Sequence, residues 1–209
     1  MKSRIGAIAL ILAFGALSAT MPDRYRIAPV LVYADVGLMI VAMLVAATAA
    51  PASSVRRIEH AVMLAAGTVA FIINALTLFD ILDALMYHPA TLKPLPLFFT
   101  SVSIWTTNIC VFTLLYWLVD RGGPDARAAG TAAYPDFDFP AMSDASKVPP
   151  NWQPGIVDYF FIGFTANTAF GPTEAMPLTE RAKLLVILQS LVSLVTIVVV
   201  AARAIGATG

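Results

Sequence analysis

The sequence predicts an all-α integral membrane protein with about five transmembrane helices plus a short re-entrant helix and loop. Three observations predict it. Of 209 residues, 59% are hydrophobic and 12% charged, about half the charged share of a soluble domain. Five long apolar runs alternate with stretches rich in helix-breaking residues. One further apolar segment is too short to cross a bilayer.

A spanning helix needs about 20 mostly apolar residues, because lipid offers no partner to bare backbone. The runs Ile5–Met21, Ile27–Ala50, Ile58–Tyr87, Leu97–Val119 and Ala182–Ile205 meet that need. Pro22-Asp23-Arg24, Pro51-Ala52-Ser53-Ser54 and His88-Pro89 through Pro96 separate the first four. Lys2 and Arg4, followed by Ile5–Gly15 and the small residues Ala16-Leu17-Ser18, also resemble a cleavable signal peptide, so two readings of the first run stand.

Asp120 to Pro154 is the one long hydrophilic stretch, and it reads as an extramembrane loop. Its Asp136-Phe137-Asp138-Phe139 alternation suits either cation attraction or, as the plainer reading, anchoring of Phe137, Phe139 and Trp152 at the headgroup level. Val157 to Phe170 follows and stops at Gly171-Pro172. Asp158 can cap its first turn, Phe160, Phe161 and Phe164 give it an apolar face, and Thr165, Asn167 and Thr168 make its end polar. Irregular backbone at membrane depth survives only when buried in protein or lining a water-filled cavity. The segment is therefore either a re-entrant helix opening a solute site or an amphipathic helix lying on the interface.

Short helix, polar loop and final helix together resemble the pore module of two-transmembrane-type potassium channels, over Leu97 to Ile205 and most closely from Asp158 to Arg203. The same stretch resembles a family of uncharacterised bacterial membrane proteins labelled channel-like. The resemblance divides the chain into an N-terminal three-helix membrane region, residues 1–96, and a pore-module-like region, residues 97–209. The latter comprises a helix 97–119, a loop 120–156, a short pore-type helix 157–170, a filter-like loop 171–179 and a final helix 180–206.

The resemblance implies an ion pathway at Thr168, Ala169, Phe170, Gly171, Pro172, Thr173 and Glu174. Thr168 takes the filter threonine's place and Glu174 approximately that of the filter-mouth aspartate, where a ring of carboxylates concentrates cations. Phe170 and Pro172 stand where the channels have glycines, and proline fixes φ near about −65°. The implied function is passage or binding of monovalent cations rather than a potassium-selective carbonyl ladder. One loop per chain implies a homotetramer. A non-conducting subunit packed on a membrane protein partner and a proton- or cation-coupled transporter are the other readings.

Gln189, Ser193 and Thr196 recur at helical spacing on the last run, as pore-lining candidates or as packing glue between helices. Thr100, Ser103, Thr107 and Asn108 read the same two ways. Asp35, well inside the second run, and Asp80 and Asp83, three apart near the end of the third, are buried-charge candidates. Asp80 and Asp83 also suit contact with interfacial water. Asp35 is the stronger candidate, with Asn74 or His60 as partners.

Thirteen Lys plus Arg against thirteen Asp plus Glu leave no basic field for nucleic acid. The lone Cys110 excludes an intrachain disulfide and a thiolate metal cluster. His60 and His88, roughly 42 Å apart along one helix, cannot share a haem iron, and no zinc, nucleophile-elbow or phosphate-loop motif occurs. No cofactor, metal or enzymatic activity is expected. With five spans, nine Lys and Arg residues share the face of the long loop and four the opposite face. The positive-inside tendency makes the nine-residue face cytoplasmic, the reverse of the channel arrangement. Either the span count differs by one or the likeness is architectural. A bacterial inner membrane is the expected location.

Overall fold

The computed structural model describes residues 2–50, 54–88, 92–131, 134–143, 146, 152–168 and 175–206, with residues 2, 3, 143 and 202–206 by backbone alone. Helices dominate them: α1 Lys2–Thr20, α2 Pro29–Ala47, α3 Ser54–Tyr87, α4 Pro94–Val119, α5 Pro124–Ala129, α6 Pro140–Ser143, α7 Ile156–Thr168 and α8 Glu180–Gly206. Pro29, Pro94 and Pro124 each stand in the first turn of their helix. There the ring's fixed φ fits the helix and the missing N–H would have had no partner anyway.

Four helices, Pro29–Ala47, Ser54–Tyr87, the one beginning at Pro94 and the one beginning at Glu180, are long and apolar enough to cross a membrane. Their outer faces are apolar: Val30, Leu38, Val41 and Leu44 on α2, Ile72, Leu76 and Phe79 on α3, and Leu184, Ile187, Leu191 and Leu194 on α8 are all exposed. Water would penalise that much uncovered hydrocarbon, whereas lipid does not. The chain is a membrane protein. α1 is a shorter apolar helix, over Arg4–Thr20. It lies along α4, with Ala7, Ile11 and Phe14 in the core.

Most of α4 is buried, because α1, α3, α7 and α8 all pack on it, while α2 packs on α1 and α3 from outside. Among the large apolar residues buried along this crowded helix stand small or polar ones, Thr100, Ser101, Ser103, Thr107, Asn108 and Thr113. Small side chains let backbones approach, and hydroxyls and amides find partners across the gap. At Gly67 on α3 an added Cβ would come 2.9 Å from Leu115 Cδ2 on α4.

The starts of α1, α3, α7 and α8 gather at the end of the bundle where α4 terminates. Arg4 donates to both Glu59 oxygens, at 2.5 and 2.9 Å, and to Asp125, which also takes Arg56 Nη1 at 2.9 Å. Near the opposite end, Thr20 Oγ1 lies 3.4 Å from Ser103 Oγ.

Candidate functional site

α7 enters beside the end of α4. Its first turn is closed by a capping contact in which the Gly155 N–H donates to Asp158 Oδ2 at 2.7 Å, as the sequence pattern anticipates. Thirteen residues carry it about 20 Å, and its polar end meets the middle of α4 and α8. Asn167 Nδ2 donates to Trp105 O at 2.9 Å and Asn167 Oδ1 accepts from Asn108 Nδ2 at 2.7 Å. Gln189 Nε2 donates to Gly163 O at 2.6 Å, while Gln189 Oε1 accepts from the Tyr116 hydroxyl at 2.5 Å. Ser193 Oγ donates to Asn167 O. Gly163 permits the close approach, since a Cβ there would stand 2.9 Å from Thr113 Oγ1.

Asn108, Asn167 and Gln189 have no exposed surface. Asn108 lies eleven residues before the end of α4, about 16 Å along its axis, and Gln189 nine residues into α8, about 14 Å. Both depths are near half of a hydrocarbon core of about 30 Å. Asn108 Oδ1 is a buried acceptor with no partner among the described residues.

Of the predicted ion-pathway residues, Thr168 alone is described; Ala169, Phe170, Gly171, Pro172, Thr173 and Glu174 lie outside the described residues. Thr168 Oγ1 donates to Thr165 O at 3.0 Å. With Ser101, Trp105 and Thr196 it lines a cavity of about 370 Å³ between α4 and α8. Gln189, Ser193 and Thr196 do share one face of α8, and that face turns toward α4 and α7 of the same chain, where all three are buried. The Thr196 hydroxyl bonds back to Val192 O.

The acidic candidates separate. Asp35 is buried and its Oδ2 has no partner among the described residues. The partners expected for it are engaged elsewhere. Thr107 Oγ1 donates to Asn74 Oδ1 at 2.9 Å, and the His60 ring stands against Gly123. Asp80 and Asp83 are exposed on one face near the end of α3.

The structure adds a charged network that the sequence did not signal, at the mouth of α7. Asp120 and Asp136 have no exposed surface although both lie in or beside the hydrophilic stretch. Asp120 Oδ2 accepts from the Tyr159 hydroxyl at 2.6 Å and Asp120 Oδ1 from the Asp136 N–H at 2.8 Å. Arg127 donates to the carbonyls of Trp117 and Asp120 and lies over the Tyr159 ring. Asp136 accepts from Thr179 Oγ1 at 2.6 Å, from Arg181 at 2.6 and 2.7 Å and from the Arg121 N–H at 2.9 Å. Burial pushes the Asp136 carboxyl up, but Arg181, Thr179 and the Arg121 N–H outweigh it and hold the group below the ordinary carboxylate value.

The neighbouring aromatics differ from the headgroup-anchor expectation. Phe137 and Phe139 are buried, edge-on to Tyr116, Tyr159 and Trp152. A two-residue ribbon, β1 Phe137–Asp138 antiparallel to β2 Met176–Pro177, ties this stretch to the segment before α8. The β1–β2 pairing and the Asp136–Arg181 ion pair satisfy much of the polar surface that is buried with these rings, while Arg121 Nε is buried with no partner among the described residues.

No family model, curated protein or solved structure matches the chain.

Proposed function

We propose that the protein is a channel-like membrane protein whose re-entrant element, α7 with residues 169–174, forms a site that binds or passes monovalent cations. In this reading α1 is a fifth span. α7 starts, and β2 lies, at the same end of the bundle, beside the end of α4. The observation that carries the reading is the buried polar lock on the end of α7, halfway along α4 and α8. A helix C-terminus presents the negative end of its dipole, which favours a cation beyond it, and Glu174 adds a carboxylate in the following loop. A homotetramer supplies four such loops around one axis. Potassium selectivity is not part of the proposal, because Phe170 and Pro172 replace glycine. The nine-residue basic face suits a cytoplasmic position for the mouth of α7, in a bacterial inner membrane.

A second reading, a non-conducting accessory subunit, draws on the spent polar stripe. Gln189, Ser193 and Thr196 already bond within the chain and leave little to line a lumen. Cation flux into liposomes containing the purified protein separates the two. Conduction predicts flux that Glu174→Ala reduces, from a tetrameric particle. Absence of flux, with Glu174→Ala changing nothing, rejects conduction, and a complex with another membrane protein that survives mild detergent then supports the accessory role.

A further inference from the structure

Among the described residues, α1, α2 and α3 enclose a single ionisable side chain at membrane depth. Val32, Asp35, Met39, Met43 and Ala46 form the buried face of α2, and α2 packs on α1 and α3. Asp35 is 6% exposed, and its Oδ2 reaches no donor among the described residues.

Among the described residues no counter-charge faces it. α1 has no ionisable group after Arg4, α2 has only Asp35 and the exposed Tyr33, and α3 has none between His60 and Asp80. The cations at one end are committed, Arg4 to Glu59 and Asp125 and Arg56 to Asp125, while Arg57 is exposed. At the other end Arg26 donates to Ala19 O and Met21 O and pairs with Asp23, and Asp80 and Asp83 are exposed carboxyls. An uncompensated carboxylate is among the costliest groups to hold in a low-dielectric interior. A bound metal cation would relieve it only with several further oxygen ligands, and no cluster of ligating side chains occurs among the described residues. A proton needs the one carboxyl alone.

We propose that Asp35 is a proton-binding site in the membrane interior, occupied as the neutral acid and exchanging its proton from within the three-helix region. The proposal is independent of the cation pathway, and its test reads covalent labelling rather than flux, so either can fail alone.

The test uses the full chain in liposomes with dicyclohexylcarbodiimide, which partitions into lipid. The carboxylic O–H adds across one C=N bond, the proton going to nitrogen and the carboxyl oxygen to carbon. Migration of the acyl group to nitrogen then gives a stable N-acylurea that retains the whole reagent, with no leaving group and no change of oxidation state. The expected result is one reagent mass on the peptide containing Asp35, labelling that falls as pH rises, and loss of that label in Asp35→Asn. Asp35→Asn keeps shape and neutrality, so it should also leave the thermal midpoint in detergent unchanged or higher. Label confined to Asp80 or Asp83, no label at all, or a several-degree fall in that midpoint in Asp35→Asn would overturn the proposal.

Discussion

Removing the Gln189 amide should unseat α7. Gln189 Nε2 and Oε1 hold Gly163 O and the Tyr116 hydroxyl at 2.6 and 2.5 Å, in a place with no exposed surface. Hydrogen bonds between membrane helices average about 0.6 kcal/mol and reach about 1.7, so the two contribute roughly 1–3 kcal/mol. Truncation to alanine also leaves a small void worth about 1 kcal/mol. Gln189→Ala should therefore lose about 2–4 kcal/mol, whereas Gln189→Leu, which keeps most of the volume, should lose about 1–3 kcal/mol. Unfolding in mixed detergent and dodecyl sulfate micelles, followed by circular dichroism, measures both. Paired with Tyr116→Phe, the same series gives a coupling energy of about 0.6–1.7 kcal/mol. A loss below about 0.5 kcal/mol for Gln189→Ala, with the Tyr116→Phe effect simply additive, would refute the lock.

Three further outcomes follow from the geometry. Asp136 is held below its ordinary value in the fold, so its contribution is present above the unfolded value near pH 3.9 and is lost as pH falls through the lower folded value; acid titration of unfolding should show this loss, and Arg181→Gln should move it to higher pH. Gly163→Leu would drive a side chain into Thr113 Oγ1 and should cost about 2–3 kcal/mol or more by overpacking, seen as early thermal aggregation. Ala28 precedes α2 in the left-handed region at φ 46°, so Ala28→Gly should stabilise by about 0.5–1 kcal/mol in the same micelle assay.

The spans were legible because lipid demands long apolar runs. Ile58–Tyr87 and Leu97–Val119 differ from α3 and α4 only at their starts, where Ser54 and Pro94 begin the helices. The short helix was legible too, since Asp158 and the abrupt change to Thr165, Asn167 and Thr168 mark its two ends. The destination of its polar atoms was not. A stripe such as Gln189, Ser193 and Thr196 has the same spacing whether it faces a lumen, a partner or its own chain, and only packing on α4 and α7 distinguishes these. The charged mouth escaped for a related reason. Asp120 reaches Tyr159 across 39 residues and Asp136 reaches Arg181 across 45, and no local period records pairings at such separations.

The burial of α4 has a consequence for how the chain is made. Its amides and hydroxyls are matched on one flank by α1 and α3, which leave the ribosome before it, and on the other by α7 and α8, which leave after it. Between those moments Asn108 and Tyr116 sit without Asn167 and Gln189, so the newly inserted helix bears open polar groups toward lipid or toward whatever chaperone occupies that flank. A chain truncated before Ile156 should be degraded in its host membrane rather than accumulate, and supplying residues 152–209 in trans should rescue it. Completion of the last helix is thus the step that closes the bundle, and surveillance of unfinished chains can read its absence at α4.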